Sequence, residues 1–209
     1  MNEILASIIG VICAYFIGSI PFAYIVTKWR KGIDIREVGS HNLGAMNVFY
    51  TVGFWWGLIV LLLDISKGLA PVALARLIGA PRLGEFAAGM AAVLGHSYPI
   101  FLNFKGGKGG ATSIGVEAFL MPWGFAVGLA VFGLFLLITH FPTLSYTIGL
   151  ATFLFSAWFI YHSWEFLAFT CVLLLIPIIR YIPRVKEMYA KSGGKISRLL
   201  YRKNLKDRL

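Results

Sequence analysis

The sequence predicts an all-α integral membrane protein with seven transmembrane or partly spanning helices. Three observations predict this. The 209 residues are 58% hydrophobic, with a mean hydropathy of +0.78. Only 13% are charged, against about 25% in an ordinary soluble domain. Apolar stretches near or above the length of a membrane-helix candidate recur along the chain.

Those stretches fall at 4–27, 54–78, 83–102, 111–120, 123–138, 144–161 and 164–182. The first has no basic run before it and no small-residue cleavage pattern after it, so it reads as a retained helix rather than a signal peptide. The second carries Asp64 and Lys67, and the third runs toward Gly95-His96 and Pro99. The fourth, 111–120, would be only about 15 Å long as a helix, too short for a hydrocarbon core of about 30 Å. It is expected to pack against protein and to end in a turn at Met121-Pro122-Trp123-Gly124. The last three are nearly bare of charge. Trp29, Trp55, Trp56, Trp123, Tyr161, Trp164 and Tyr181 crowd the segment ends, as an interfacial belt would. Pro21, Pro71, Pro99 and Pro177 lie inside or near segment ends, where membrane helices tolerate kinks.

Sixteen of the 19 basic residues sit in three groups: after the first segment, after the third, and from Arg180 to Arg208. The positive-inside rule puts these groups in the cytoplasm, with the N-terminus outside and the C-terminus cytoplasmic. Residues 1–182 then form a single membrane domain and 183–209 a basic cytoplasmic tail. In that tail Ile196, Leu199 and Leu200 share a helical face among lysines and arginines. A surface helix on anionic lipid and a frayed tail both fit it. Cys13 and Cys171 lie in apolar segments and read as free thiols, not a disulfide framework. No internal repeat is visible.

The chemistry concentrates in polar islands. Asn103 to Gly110 is a glycine-lysine loop between apolar segments. Glycines bring backbone N–H groups close to a ligand, and Lys105 and Lys108 add fixed positive charge, so the loop suits a phosphate. It is not a nucleotide P-loop, because Lys108 is followed by Gly109 and no strand precedes it. A second island, Gly39 to Asn47, offers Ser40, Asn42 and Asn47 as hydrogen-bond groups, or as caps of a turn. Topology puts it on the same side as Lys108. Asp64 and Lys67 share one helical face, and charges inside a membrane segment point to function or to site support. His96 suits either a ligand phosphate or helix packing. The four histidines lack metal-ligand spacing, so neither metal nor cofactor is expected. No G-x-S-x-G elbow and no histidine followed five residues later by aspartate occurs.

Taken in order, Gly18-Ser19-Ile20-Pro21, Gly39-Ser40-x-Asn42-x-Gly44-Ala45-x-Asn47, Asp64-x-x-Lys67-Gly68, Gly95-His96-x-x-Pro99 and Phe104-Lys105-Gly106-Gly107-Lys108-Gly109 resemble the acyl-phosphate-dependent glycerol-3-phosphate acyltransferases of bacteria. The resemblance implies a seven-helix enzyme of the bacterial inner membrane with its active site facing the cytoplasm. It implies transfer of an acyl chain from acyl phosphate to the 1-position of glycerol 3-phosphate, giving lysophosphatidate and phosphate. The implied partners are those two substrates and the lipid bilayer, without nucleic acid, in a monomer. The implied catalytic residues are Ser40, Asn42 and Lys108. The implied substrate contacts are His41, Asn47, Lys67, His96, Lys105, Gly106, Gly107, Gly109, Thr112, Tyr181 and Arg184, with Asp64 in support.

The chain departs from the family pattern in places. His41, Met46 and Tyr50 stand where the family usually has glycine, threonine and arginine, and 181–184 stands where it usually has a His-Arg-x-Asn run. Losing an arginine removes a bidentate phosphate partner. Two competing readings are a relative that binds lipid or phosphate without this reaction, and a small transporter using the Asp64–Lys67 pair.

Overall fold

The computed structural model describes residues 2–191 and Gly193. The expected face of Ile196, Leu199 and Leu200 lies outside these residues. All regular structure among the described residues is helical. The described residues divide into two compact units, the first ending at Phe119 and the second beginning at Leu120.

The first unit opens with α1, Glu3–Gly18, capped by Asn2, whose side-chain oxygen accepts the Ile4 N–H at 2.9 Å. The first apolar segment does not continue as one regular helix. It breaks at Ser19–Pro21, because Pro21 has no N–H to donate and restricts Ile20 before it. α2, Phe22–Lys31, follows and ends on Gly32 in the left-handed region at φ +69. Lys28, Arg30 and Lys31 fill its last turn, where cations suit the helix dipole. A 3₁₀ turn, Ile35–Glu37, leads through the Gly39–Asn47 island into a short α3, Ala45–Thr51. α4 spans Phe54–Leu77 and α5 spans Arg82–Ser97. Pro99 diverts the chain into a 3₁₀ turn, Ile100–Leu102, so the third apolar segment stays α-helical only to Ser97.

α6, Gly110–Leu120, is the short helix expected for the fourth segment. It stops at Met121, where ψ is +71, and the next helix begins at once on Pro122. The four-residue turn foreseen there is a one-residue break.

Small residues let the helices of the first unit touch backbone to backbone. Gly18 of α1 abuts the Ala92 carbonyl of α5, and Gly95 of α5 abuts the Tyr15 carbonyl. Gly68 of α4 abuts the Thr112 carbonyl of α6, and Gly115 of α6 abuts the Ile65 carbonyl. Ala6, Ala14, Ala75, Ala88 and Ala92 form a buried alanine seam. A second apolar cluster joins Ala23, Val26, Ile35, Leu43, Val48 and Val60 beneath the Gly39–Asn47 loop. Arg76 ties α4 to α5 through paired bonds to Glu85 at 2.9 and 2.7 Å and stacks over Phe119 at 4.4 Å.

The second unit holds α7, Pro122–Thr139, α8, Pro142–Phe159, and α9, Trp164–Lys191. Gly128 and Gly149 let α7 and α8 cross closely. The turn between them uses His140 in the left-handed region, and Thr139 Oγ1 accepts the Phe141 N–H at 3.2 Å. α9 continues past Pro177 and Pro183, so helix carries into the start of the basic tail. Among the described residues, four stretches are long and apolar enough to cross a membrane: Glu3–Lys31, Phe54–Leu77, Pro122–Thr139 and Trp164–Ala190.

Candidate functional site

Both polar islands and the intramembrane charges belong to the first unit, and the fold brings them together. The Gly39–Asn47 island is organised by Asn47, which is only 2% exposed. Its Nδ2 donates to the carbonyls of Ile35, Val38 and Asn42 at 3.0, 3.0 and 3.1 Å. Its Oδ1 accepts the Ser40 N–H at 3.0 Å. Three carbonyl partners fix the amide's orientation, since only the nitrogen end can donate to them. Gly39, at φ +64, leaves room that any side chain would take from Asn47. Ser40 and His41 are exposed and Asn42 is half-buried at the loop's crest. His41 sits at φ +56, a conformation that favours glycine, with its Nδ1 2.9 Å from the Arg36 carbonyl. Beside the loop, Arg36 hydrogen-bonds Asp34 at 2.6 to 3.0 Å and thereby holds the Asp34 carboxyl below its ordinary range.

The glycine-lysine loop leaves the 3₁₀ turn through Asn103 and Phe104, both at positive φ, and enters α6 after Gly109 at φ +88. Lys105 is exposed and Lys108 half-buried. Gly107 donates its N–H to the His96 carbonyl at 3.1 Å. A side chain on Gly107 would strike the His96 ring and the Leu43 carbonyl, so this glycine is where the two islands meet. Gly106 rests on the His96 and Ser97 carbonyls and on the Pro99 ring. Thr112 is fully buried on α6 and its hydroxyl has no hydrogen-bond partner.

Beneath the loops lie Asp64, Lys67 and His96, exposed by 1%, 4% and 6%. The expected Asp64–Lys67 pair forms at 2.9 Å. His96 Nδ1 stands 3.7 Å from the same Asp64 oxygen. Lys67 also donates to the Ile20 carbonyl at 2.8 Å and lies over the Phe22 ring at 5.5 Å. These groups line a cavity of about 10 Å3, about the space of one water.

Sequence reasoning missed the Ile20 carbonyl as a site group. The signal was present in Pro21, which frees a carbonyl near a helix break. It also missed the fully buried Glu117 of α6 and the Arg76–Glu85 pair. Tyr181 and Arg184 fall in α9 of the second unit. There Arg184 pairs with Glu187 at 2.6 Å, and the Tyr181 hydroxyl donates to Met188 Sδ at 3.8 Å.

A family model described as glycerol-3-phosphate acyltransferase matches residues 8–191. The chain belongs to that family. Glycerol-3-phosphate acyltransferase 2 of Dehalococcoides mccartyi, strain ATCC BAA-2266, is 49% identical over 210 residues, covering 100% of both chains. Glycerol-3-phosphate acyltransferase of Bacillus subtilis strain 168 is 43% identical over 187 residues, covering 89% of this chain and 95% of its own. The crystal structure of PlsY (YgiH), an integral membrane glycerol 3-phosphate acyltransferase in its glycerol 3-phosphate form, superposes with a TM-score of 0.82 at 31% identity. It covers 90% of this chain and 94% of that one. The protein is therefore an all-α membrane protein of an acyltransferase family.

Proposed function

We propose that this protein transfers a fatty acyl chain from acyl phosphate to the 1-position of glycerol 3-phosphate, at the cytoplasmic face of a bacterial inner membrane. The observation that carries the proposal is the meeting of two glycine-punctuated loops at Gly107, over a buried Asp64–Lys67 pair, in a chain of this family. Both substrates carry phosphate, and Lys105 and Lys108 bring positive charge to the glycine-lysine loop.

The glycerol C1 oxygen attacks the acyl carbonyl carbon. The bond from that carbon to the phosphate oxygen breaks, and phosphate departs with the electron pair. The hydroxyl proton passes to the donor's own phosphate, so no protein base is required. A phosphate leaving group also removes the need for a covalent nucleophile. Catalysis then rests on positioning and on charge stabilisation by Lys108, Ser40 and Asn42. Lys105, Gly106, Gly107, Gly109 and Thr112 complete the phosphate cradle around Lys108, while His41 and Asn47 frame Ser40 and Asn42. The protein acts as a monomer, with the N-terminus outside and residues 183–209 as a basic cytoplasmic tail.

The test is phosphate release from acyl phosphate by purified protein, with and without glycerol 3-phosphate. Strict dependence on the acceptor supports the proposal, and a folded, lipid-bound sample without turnover refutes it. Lys108→Ala is expected to lose most activity while still inserting and folding.

A further inference from the structure

We infer that Asp64, Lys67 and His96 form a buried strut that positions the glycine-lysine loop, with Asp64 acting on the loop through His96. The inference rests on the acyltransfer reading and gives this trio a positioning role within it.

The loop has a physical need for such a strut. Gly106, Gly107, Gly109 and Gly110 lie within five residues, and glycine loses more backbone freedom on ordering than any other residue. A loop of this composition presents fixed N–H groups only if something rigid holds it. His96 does so twice. Its carbonyl accepts the Gly107 N–H at 3.1 Å, and its ring fills the space that a side chain on Gly107 would need. The ring's far side faces Asp64, with Nδ1 3.7 Å from Oδ1. Asp64 is itself fixed by Lys67 at 2.9 Å. Lys67 is anchored to the Ile20 carbonyl at 2.8 Å, in the break between α1 and α2. A continuous chain of contacts therefore runs from that break through α4 to the end of α5 and into the loop.

Burial separates this role from direct substrate binding. The ammonium of Lys67 has three hydrogens, and the protein surrounds it with a carboxylate, a carbonyl and the face of Phe22. All three residues are at most 6% exposed, and the cavity they line has the space of about one water, too little for a substrate. The charges hold geometry, and the loop above them carries the chemistry.

The experiment uses the full-length protein in lipid nanodiscs. Asp64→Asn keeps the shape and removes the charge. It is expected to lower kcat/KM by about 100-fold, the scale of a misplacement near 1 Å. Amide hydrogen exchange at 106–108 should rise by more than exchange in α4 and α5, which reports the general cost of leaving Lys67 unpaired. Gly107→Ala and His96→Ala should each impair activity severely. Together they should be sub-additive, because removing the ring removes the main clash. Wild-type exchange at 106–108 in Asp64→Asn overturns the strut, as does a double variant whose losses multiply. If the wild-type protein releases no phosphate, the acyltransfer reading falls, and the exchange measurement still decides the strut. Should Asp64→Asn fail to fold, the His96 and Gly107 cycle decides it.

Discussion

Replacing Lys67 by Met tests whether the buried charges are a matched set. Lys67 holds three contacts: Asp64 at 2.9 Å, the Ile20 carbonyl at 2.8 Å and the Phe22 ring at 5.5 Å. Methionine fills much of the volume and supplies none of the charge. Asp64, 1% exposed, is then left as an uncompensated buried carboxylate. Breaking a buried pair from one side costs about 3–5 kcal/mol, because the remaining charge keeps its desolvation penalty. Removing both charges, in Lys67→Met with Asp64→Leu, abolishes that penalty. Only the stranded Ile20 carbonyl then remains, at about 1–3 kcal/mol. The Ile20 carbonyl is stranded in both variants, so the single should be less stable than the double by about 3–5 kcal/mol, the cost of the uncompensated carboxylate. Reversible unfolding in mixed micelles, followed as a function of the denaturing detergent fraction, measures the difference. A single variant as stable as the double, or more so, refutes the reasoning.

Gly115→Ala places a methyl against the Ile65 carbonyl, where only backbone could give way, so α6 must move off α4. Stability should fall by about 1–3 kcal/mol, and activity by roughly 100-fold as the Lys108 loop shifts with α6, both readable in one preparation. Asn47→Ala strands the carbonyls of Ile35, Val38 and Asn42 together with the Ser40 N–H. It should cut kcat/KM at least about tenfold and expose the 39–47 loop to limited proteolysis. Asp34→Asn removes a pair whose carboxyl is held below its ordinary value of 3.8. A depressed carboxyl stabilises the fold fully above that value and loses its contribution as pH falls through the folded one. The variant should thus melt lower than wild type at pH 7, by no more than the roughly 1 kcal/mol of a partly exposed pair, and match it below the folded value.

Much of this architecture is legible in the residues because the membrane imposes strong rules. Apolar length locates α4, α7 and α9, and the ten-residue fourth segment announces a helix that cannot cross. The Asp64–Lys67 pair is legible too, since charges three apart on an apolar helix have few partners but each other. The break at Ser19–Pro21 is harder to read, because Pro21 sits inside a stretch whose apolar composition continues across it. α3 has only seven residues, about two turns, so no period marks it as helix. Asn47 illustrates the limit at the site. Its residue type suggests a ligand contact as well as a loop staple, and only the three carbonyls around its Nδ2 reveal how thoroughly the protein employs it. The Arg76–Glu85 pair escaped notice for the same reason, since its partners lie on different helices.

The break in the first segment and the missing nucleophile share a physical logic. A spanning segment must satisfy its own carbonyls, and irregular backbone survives at depth only where protein covers it. The Ile20 carbonyl is covered by a lysine, and that lysine needs a carboxylate because an unpaired buried cation would be costly. The result is a rigid polar floor built from one main-chain oxygen and one ion pair. A reaction whose donor arrives already activated asks little covalent chemistry of the protein and much geometric stability. Gly107 can then lie flat on His96, lacking the side chain that would push it away. On this argument the glycines are tolerable because the floor is stiff. Softening the floor at Asp64 or Lys67 should cost activity before it costs insertion into the membrane.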